Sequence, residues 1–330
     1  MNRRELLEAI GGVALGAAAA SLPVTSLAQS GSPITLVVPY APGGTSDMLG
    51  RLIAQHLGGV IDGRQVIVDN RPGAGTSVGA SHVARSAPDG GTLLLATSTT
   101  LAINPSLYPK LSYDPKELAP VGLVAAVPFM LVVNPSLNVR SVEEFVAVAR
   151  ERPGGLNYGS AGNGSPQHLI AEMFKAATGV PMRHVPYKGT APALADLLGG
   201  QIDAVFADVA PALPHVKAGK LVALGVATAS RLDALPHVPT IAEAPVQGTQ
   251  DFEAAAWQGI VVPAATSRDV VARLHGELTR VLSTPEVRAQ LRALNVEPRS
   301  SESPEQFVAY VRSEAARWSK VIEASGARVD

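Results

Sequence analysis

The chain has 330 residues, room for about two domains, and its 46% hydrophobic content excludes a disordered or fibrous protein. Charged residues make up 17% and balance to a net charge of −1, so the electrostatic footprint of a nucleic-acid binder or an anionic-membrane binder is missing. With no cysteine, disulfide frameworks, thiol nucleophiles, thiolate metal sites and a lipoprotein anchor are excluded too.

Arg3 and Arg4 precede a Gly- and Ala-rich apolar run over residues 10–22, followed by small residues at Ser26 and Ala28. The run is weakly apolar and broken by glycine, which predicts a cleaved export signal over residues 1–30 rather than a membrane anchor. The Arg pair followed by Leu6 and Leu7 fits a twin-arginine signal, with the general secretory route as the alternative. Both predict a periplasmic protein.

Beyond the signal, a β-branched run at residues 34–38, a PYAPGGTSD loop and an apolar stripe at Met48, Leu52, Ile53 and Leu57 predict strand, loop and helix. Strand signals recur at residues 65–69 and 92–96. A second alternation opens with Ser141 and Glu144, spaced as a capping box. It continues with a strand at 156–158, a helix opened by Ser165 and Pro166, a strand at 183–185, a helix at 190–198 and a strand at 204–207. Such alternation predicts βαβ units on parallel sheets, here as two α/β lobes. Apolar runs at 129–133 and 257–262 are the candidate crossovers between them. Ser267, Thr284 and Ser303 then predict the N-caps of three tail helices, the last two with proline at the first helical position. The expected division is 31–130 for the first part of lobe 1, 131–254 for lobe 2, and 255–330 for a return strand and helices of lobe 1.

The glycines carry the chemical signal. Pro42-Gly43-Gly44-Thr45 and the run from Gly159 through Ser160, Ala161, Gly162, Asn163 and Gly164 to Ser165 each lie between a strand and a helix. That edge of an α/β sheet is where ligands bind, and the N–H groups of the following helix favour an anion. Ordinary βα turns have the same composition, so both readings stand on pattern alone. A third stretch, Gly73 to Gly79, has GxGxxxG spacing, one residue too long for a dinucleotide fingerprint, and no phosphate-binding GxxxxGK[ST] loop occurs. The seven histidines have no metal spacing, and Ser160 is outside a GxSxG elbow. His168 is a possible anion donor or a first-turn cap. Asp47 either complements its helix dipole or orients the loop. Asp208 is either an N-cap or a ligand acceptor, and Lys188 is a possible cation for the loops.

The segments VPYAPGGTSD (38–47), NRPGAGTSVGA (70–80), LNYGSAGNGSPQHL (156–169), HVPYKGTAPALADLLGGQID (184–203) and LPHVPTIAEA (235–244) closely resemble the Bug family, the TctC-like substrate-binding proteins of tripartite tricarboxylate transporters. The resemblance runs over nearly the whole chain after the signal. It implies a two-lobed, Venus-flytrap α/β fold of the type II periplasmic binding proteins, with a crossing-strand hinge. It also implies a monomeric receptor without cofactor or metal, which delivers a small carboxylate to membrane permease subunits. Family resemblance places the ligand against Tyr40, Ala41, Pro42, Gly43, Gly44 and Thr45, and Asp47 is expected among the ligand-binding residues. From the facing lobe come Ser160, Ala161, Gly162, Asn163 and Ser165, and Ser98, Thr99, His168 and Asp208 match positions near the pocket. Backbone N–H groups and waters would hold the carboxylate. Two departures from the family pattern stand out: Phe206-Ala207-Asp208 replaces the more usual Phe-Asp-Asn order, and Tyr40 replaces a frequent Phe. The alternatives are an exported enzyme on the same scaffold and a receptor that signals to a membrane sensor.

Overall fold

The structure, a computed structural model, describes residues 31–325 and 327; the expected export signal lies outside these. Strand β1 (Ile34–Val38) is buried along nearly its whole length and lies between β2 (Val66–Asn70) and β3 (Thr92–Thr97), parallel to both. Helices α1 (Thr45–Leu57) and α2 (Ser77–Ala84) make the crossovers. The second lobe repeats this plan. Strand β5 (Leu156–Ser160) lies between β6 (Met182–Pro186) and β7 (Ala204–Asp208), parallel to both, with α5 (Pro166–Thr178) and α6 (Thr190–Leu198) as crossovers. Both trios therefore have the order second, first, third, and in each the central strand feeds a glycine loop.

One long strand, β4 (Leu118–Val133), joins the halves. Its first part pairs antiparallel with β9 (Ala255–Pro263) as far as Pro128↔Ala255, and from Phe129 onward it pairs with β7. The change of partner falls at a proline, which has no N–H to give to a ladder. The chain passes the same waist again after β8 (Val222–Val226), where Ala227 donates to the Phe129 carbonyl and accepts from the Ala254 N–H, each at 2.8 Å. The crossings thus lie at 128–129 and 254–255, just ahead of the two apolar runs expected to make them. Those runs are each buried within a single lobe.

The core follows the strand period. Val205 and Ala207 of β7 pack with Leu194 and Leu197 of α6, while Ala204 and Phe206 join the larger core on the other face. Ser141 caps α4 (Val142–Glu151) by accepting the Glu144 N–H, but the Glu144 carboxylate takes the Arg140 N–H at 2.6 Å instead of closing the expected capping box on Ser141. Ser267, Thr284 and Ser303 accept from Val270, Val287 and Gln306 at the starts of α8 (Arg268–Ser283), α9 (Pro285–Ala293) and α10 (Pro304–Ser325). The last helix was expected to belong to the first lobe. It packs on β4, on the π-helical turn Thr99–Ile103 and on the short α3 (Asn104–Leu107) that follows it, and equally on α5 of the second lobe, so it straddles the waist. No described helix is long and apolar enough to cross a membrane.

Candidate ligand-binding site

In a parallel trio of this order, the connections leave the central strand and its neighbour in opposite directions, and a crevice opens at their carboxyl ends. Here two such crevices face each other. Tyr40 follows β1, Thr97 ends β3, Ala161 follows β5 and Asp208 ends β7, and all four line one pocket between the lobes.

The first loop is held from behind. Gly43 has φ +89°, and its N–H donates to Asp47 Oδ2 at 3.0 Å. The Asp47 carboxylate also accepts from Arg51 and from Asn70 Nδ2, both at 3.0 Å, and Asn70 reaches the Tyr40 carbonyl at 3.1 Å. Burial pushes the Asp47 carboxyl up, but Arg51, the Gly43 N–H and Asn70 together hold it below the usual carboxylate range. With Gly43 committed to Asp47, the N–H groups of Gly44 and Thr45 at the start of α1 have no hydrogen bond among the described residues. Both residues line the pocket, at the helix N-terminus where a free N–H suits an anion.

The second loop is built the same way from different parts. Gly162 (φ +127°) donates to Ser160 Oγ at 3.0 Å, and Gly164 (φ +71°) donates to His168 Nδ1 at 3.1 Å. Ser165 caps α5 through the His168 N–H at 3.3 Å. The His168 ring stacks on His184 at 4.0 Å between centroids, and His184 stacks on Tyr158 at 5.0 Å. Burial above all, with Lys175 contributing, pushes His168 down to about 4 and His184 to about 3, so both are neutral at pH 7. Because His168 Nδ1 accepts, its proton is on Nε2 and the ring is turned to the loop's underside. The Ala161 N–H has no partner among the described residues, and Ala161 lines the same pocket as Gly44 and Thr45.

Ser160 Oγ and His184 Nε2 lie 2.6 Å apart, a pairing no sequence spacing announced, because His184 arrives on β6 in register with Tyr158. The distance suits a nucleophile and base. The surroundings do not: Ser160 is wholly buried, its oxygen already accepts the Gly162 N–H, and His184 is a poor base. The pair clamps the loop. Ser98 and Thr99 are also wholly buried, behind the wall that Tyr40 forms by donating to Thr99 Oγ1 at 3.2 Å; burial raises the Tyr40 hydroxyl to about 12. Thr97, one residue earlier, takes the position on the pocket wall.

Asp208 occupies the N-cap position of α7 (Val209–Lys217) but caps nothing. Its side chain turns into the pocket, where Oδ1 accepts from Gln167 Nε2 at 2.6 Å and Oδ2 from Thr190 Oγ1 at 3.1 Å. Burial raises its carboxyl above the usual range, against the opposing pull of the hydroxyls of Thr45 and Thr190 and of the Gln167 amide. Lys188 extends to solvent; its carbonyl accepts the Ala41 N–H at 3.1 Å, a bond from lobe to lobe. The lobes close tightly here, since a Cβ on Gly43 would stand 3.3 Å from the Ala191 methyl.

The pocket has a volume of about 30 Å³. Tyr40 and Ala161 separate it from a second compartment of about 200 Å³, lined by Gly75, Tyr108, Gly162, Asn163 and Lys188. A larger hollow of about 1350 Å³ lies on the other face of the hinge: Ala126 and Pro128 line it, whereas Val127 and Phe129 line the front pocket, as the period of a strand dictates. Of the residues expected at the ligand, Tyr40, Gly44, Thr45, Ala161 and Asp208 meet in the small compartment, and Gly162 and Asn163 in the larger. Ala41, Pro42, Gly43, Asp47, Ser98, Thr99, Ser160, Ser165 and His168 line neither. Thr97, Gln167, Thr190, Trp257 and Gln258 line the small compartment unforeseen. Only Gln258 left a trace in the sequence, as a lone amide in an apolar strand.

Residues 50–327 match the family of tripartite tricarboxylate transporter family receptors. The chain belongs to this receptor family. The Bug likeness also holds over full length: protein BugT of Bordetella pertussis is 34% identical over 331 residues, 100% of both chains. Among solved structures similar to this receptor, R. palustris Rpa4515 with adipate has a TM-score of 0.86 at 38% identity, covering 91% of this chain and 99% of that one. MatC (Rpa3494) from Rhodopseudomonas palustris with bound malate has a TM-score of 0.82 at 31% identity, covering 88% and 99%. The receptor accordingly has the two-lobed α/β periplasmic-binding-protein fold that the resemblance implied.

Proposed function

We propose that this receptor binds a small carboxylate between its lobes outside the cytoplasm and delivers it unchanged to the permease subunits of a tripartite transporter. The observation that carries the reading is the set of N–H groups of Gly44, Thr45 and Ala161, without partners among the described residues, on residues that line one pocket from two lobes. N–H···O⁻ bonds are charge-assisted and roughly twice as strong as neutral ones, so no buried cation is needed. The adipate and malate in two similar receptors support the ligand class. Tyr40, Asn163 and Asp208 complete the contacts in this reading. Pro42, Gly43, Asp47, Ser160, Gly162, Ser165 and His168 shape the two loops, and Ala41, Ser98 and Thr99 support their walls. Lobe 1 comprises residues 31–128 and the chain from 255, with lobe 2 between, and closure turns on those two junctions. Residues 1–30 direct export, and the receptor acts as a monomer.

Thermal unfolding of the exported form against a panel of carboxylates, with sugars and inorganic anions as controls, tests the reading. A carboxylate at 100 times its Kd should add about 2.7 kcal/mol, several degrees in Tm. Gly43→Pro, which removes the N–H given to Asp47 and forces φ from +89° to about −65°, should abolish that shift. A shift by sugars alone, or conversion of the carboxylate during incubation, would overturn the assignment.

A further inference from the structure

The small compartment contains more hydrogen-bonding capacity than a carboxylate can use. Both N–H bonds of the Gln167 amide are spent, on Asp208 at 2.6 Å and on Thr190 Oγ1 at 3.0 Å, which leaves Gln167 Oε1 without a partner. The amide orientation follows from the chemistry, since the nitrogen faces a carboxylate that only accepts. Gln258 donates to Ser46 Oγ at 2.9 Å, and its Oε1 is likewise without a partner among the described residues. Thr45, Gln167, Gln258 and Asp208 are 1%, 4%, 5% and 6% exposed, and all line the same pocket. The unused side-chain groups are thus the two amide oxygens of Gln167 and Gln258, gathered beside a buried carboxylate, and none of the lining residues is Lys, Arg or His.

We propose that this compartment is an ammonium site and that the ligand is an amino carboxylate. The proposal rests on the reading of the interlobe pocket as a carboxylate site and adds the second functional group. An ammonium brings three N–H donors and the positive charge that Asp208 lacks, whereas a hydroxyl brings one donor and a second carboxylate brings none. Phe129 and Trp257 also line the compartment, and aromatic faces attract a cation. The ligand carboxylate then lies against the N–H groups of Gly44, Thr45 and Ala161, and the rest of the molecule extends past Tyr40 into the compartment of about 200 Å³. Asp208 is accordingly the residue that separates amino acids from plain acids.

Calorimetric titration of the exported full chain with three matched sets tests this: L-aspartate, L-malate and succinate; L-glutamate, 2-hydroxyglutarate and glutarate; 4-aminobutanoate, 4-hydroxybutanoate and butanoate. The amino member of at least one set should bind tenfold or more tighter than both analogues, and Asp208→Asn should shrink that gap to under threefold. Hydroxy or unsubstituted acids that bind as tightly as the amino acids overturn the ammonium site and leave the carboxylate receptor standing. An amino preference that survives Asp208→Asn overturns the ammonium site as well. Binding by none of the nine overturns the ammonium site, and the thermal-unfolding panel then decides the carboxylate reading by itself.

Discussion

Asp208 has a measurable cost. Its carboxyl is raised chiefly by burial, so between its unfolded value of 3.8 and its folded value the native protein holds a proton that the unfolded chain has lost. The stability cost is absent below 3.8 and grows as the pH rises through the folded value. Asp208→Asn should therefore raise the Tm of the ligand-free protein at pH 7, with a gain that shrinks toward pH 4; a gain independent of pH would contradict a buried charge. Gly162 makes a different demand on its side chain. At φ +127°, with the Tyr187 carbonyl 3.1 Å from any added Cβ, Gly162→Ala should lose about 1–3 kcal/mol in urea unfolding.

At the scale of elements, the two loops solve one problem with different chemistry. Each must keep a glycine turn open while sparing the N–H groups that face the cleft. The first does so with a single carboxylate, Asp47, placed one turn into α1; the second uses Ser160, His168 and His184 from β5, α5 and β6. The second solution is acid-sensitive. In the unfolded chain both histidines take a proton near 6.5, but in the fold they resist until about 4 and about 3. The unfolded state therefore binds more protons across that window, and stability present above 6.5 is lost as the pH falls. The urea midpoint should drop between pH 7.5 and pH 5, and it should drop less in His184→Gln, which removes one of the two groups. An equal drop in the variant would place the acid sensitivity elsewhere.

For the whole molecule, closure depends on how near the lobes can come. Gly75 of the first lobe has φ +54°, and a Cβ there would approach the Asn163 carbonyl of the second lobe to 2.9 Å and Tyr108 Oη to 2.6 Å. Asn tolerates this backbone region, so Gly75→Asn should fold and act as a wedge. We expect a larger radius of gyration by solution scattering at saturating ligand. If closure then costs about 1.4 kcal/mol more, affinity falls tenfold. Wild-type compaction in that variant would show that the lobes meet elsewhere. Opening must in turn compress the hollow behind the hinge, because β4 presents Pro128 to it and Phe129 to the ligand pocket.

Local signals determined the parts of this protein: the β-branched runs, the glycine turns and the caps at Ser165, Ser267, Thr284 and Ser303 all depend on residues within a few positions of one another. The alternation of period 2 and period 3.6 was enough to read the two α/β halves. Tertiary structure alone decided which loop N–H groups stay free, since that depends on Asn70 and His184 arriving from other strands to hold Asp47 and Ser160 against the rest. It also decided that His168 faces inward while Gln167, one position earlier and about 100° around the same helix, faces the ligand pocket. Strand register had the same authority over Gln258 and Asp208, which come from opposite halves of the molecule and meet because β4 pairs with both β9 and β7. A hydrogen bond between residues distant in the chain leaves no period in the sequence, so the fold could be read there and the donor and acceptor balance of the pocket could not.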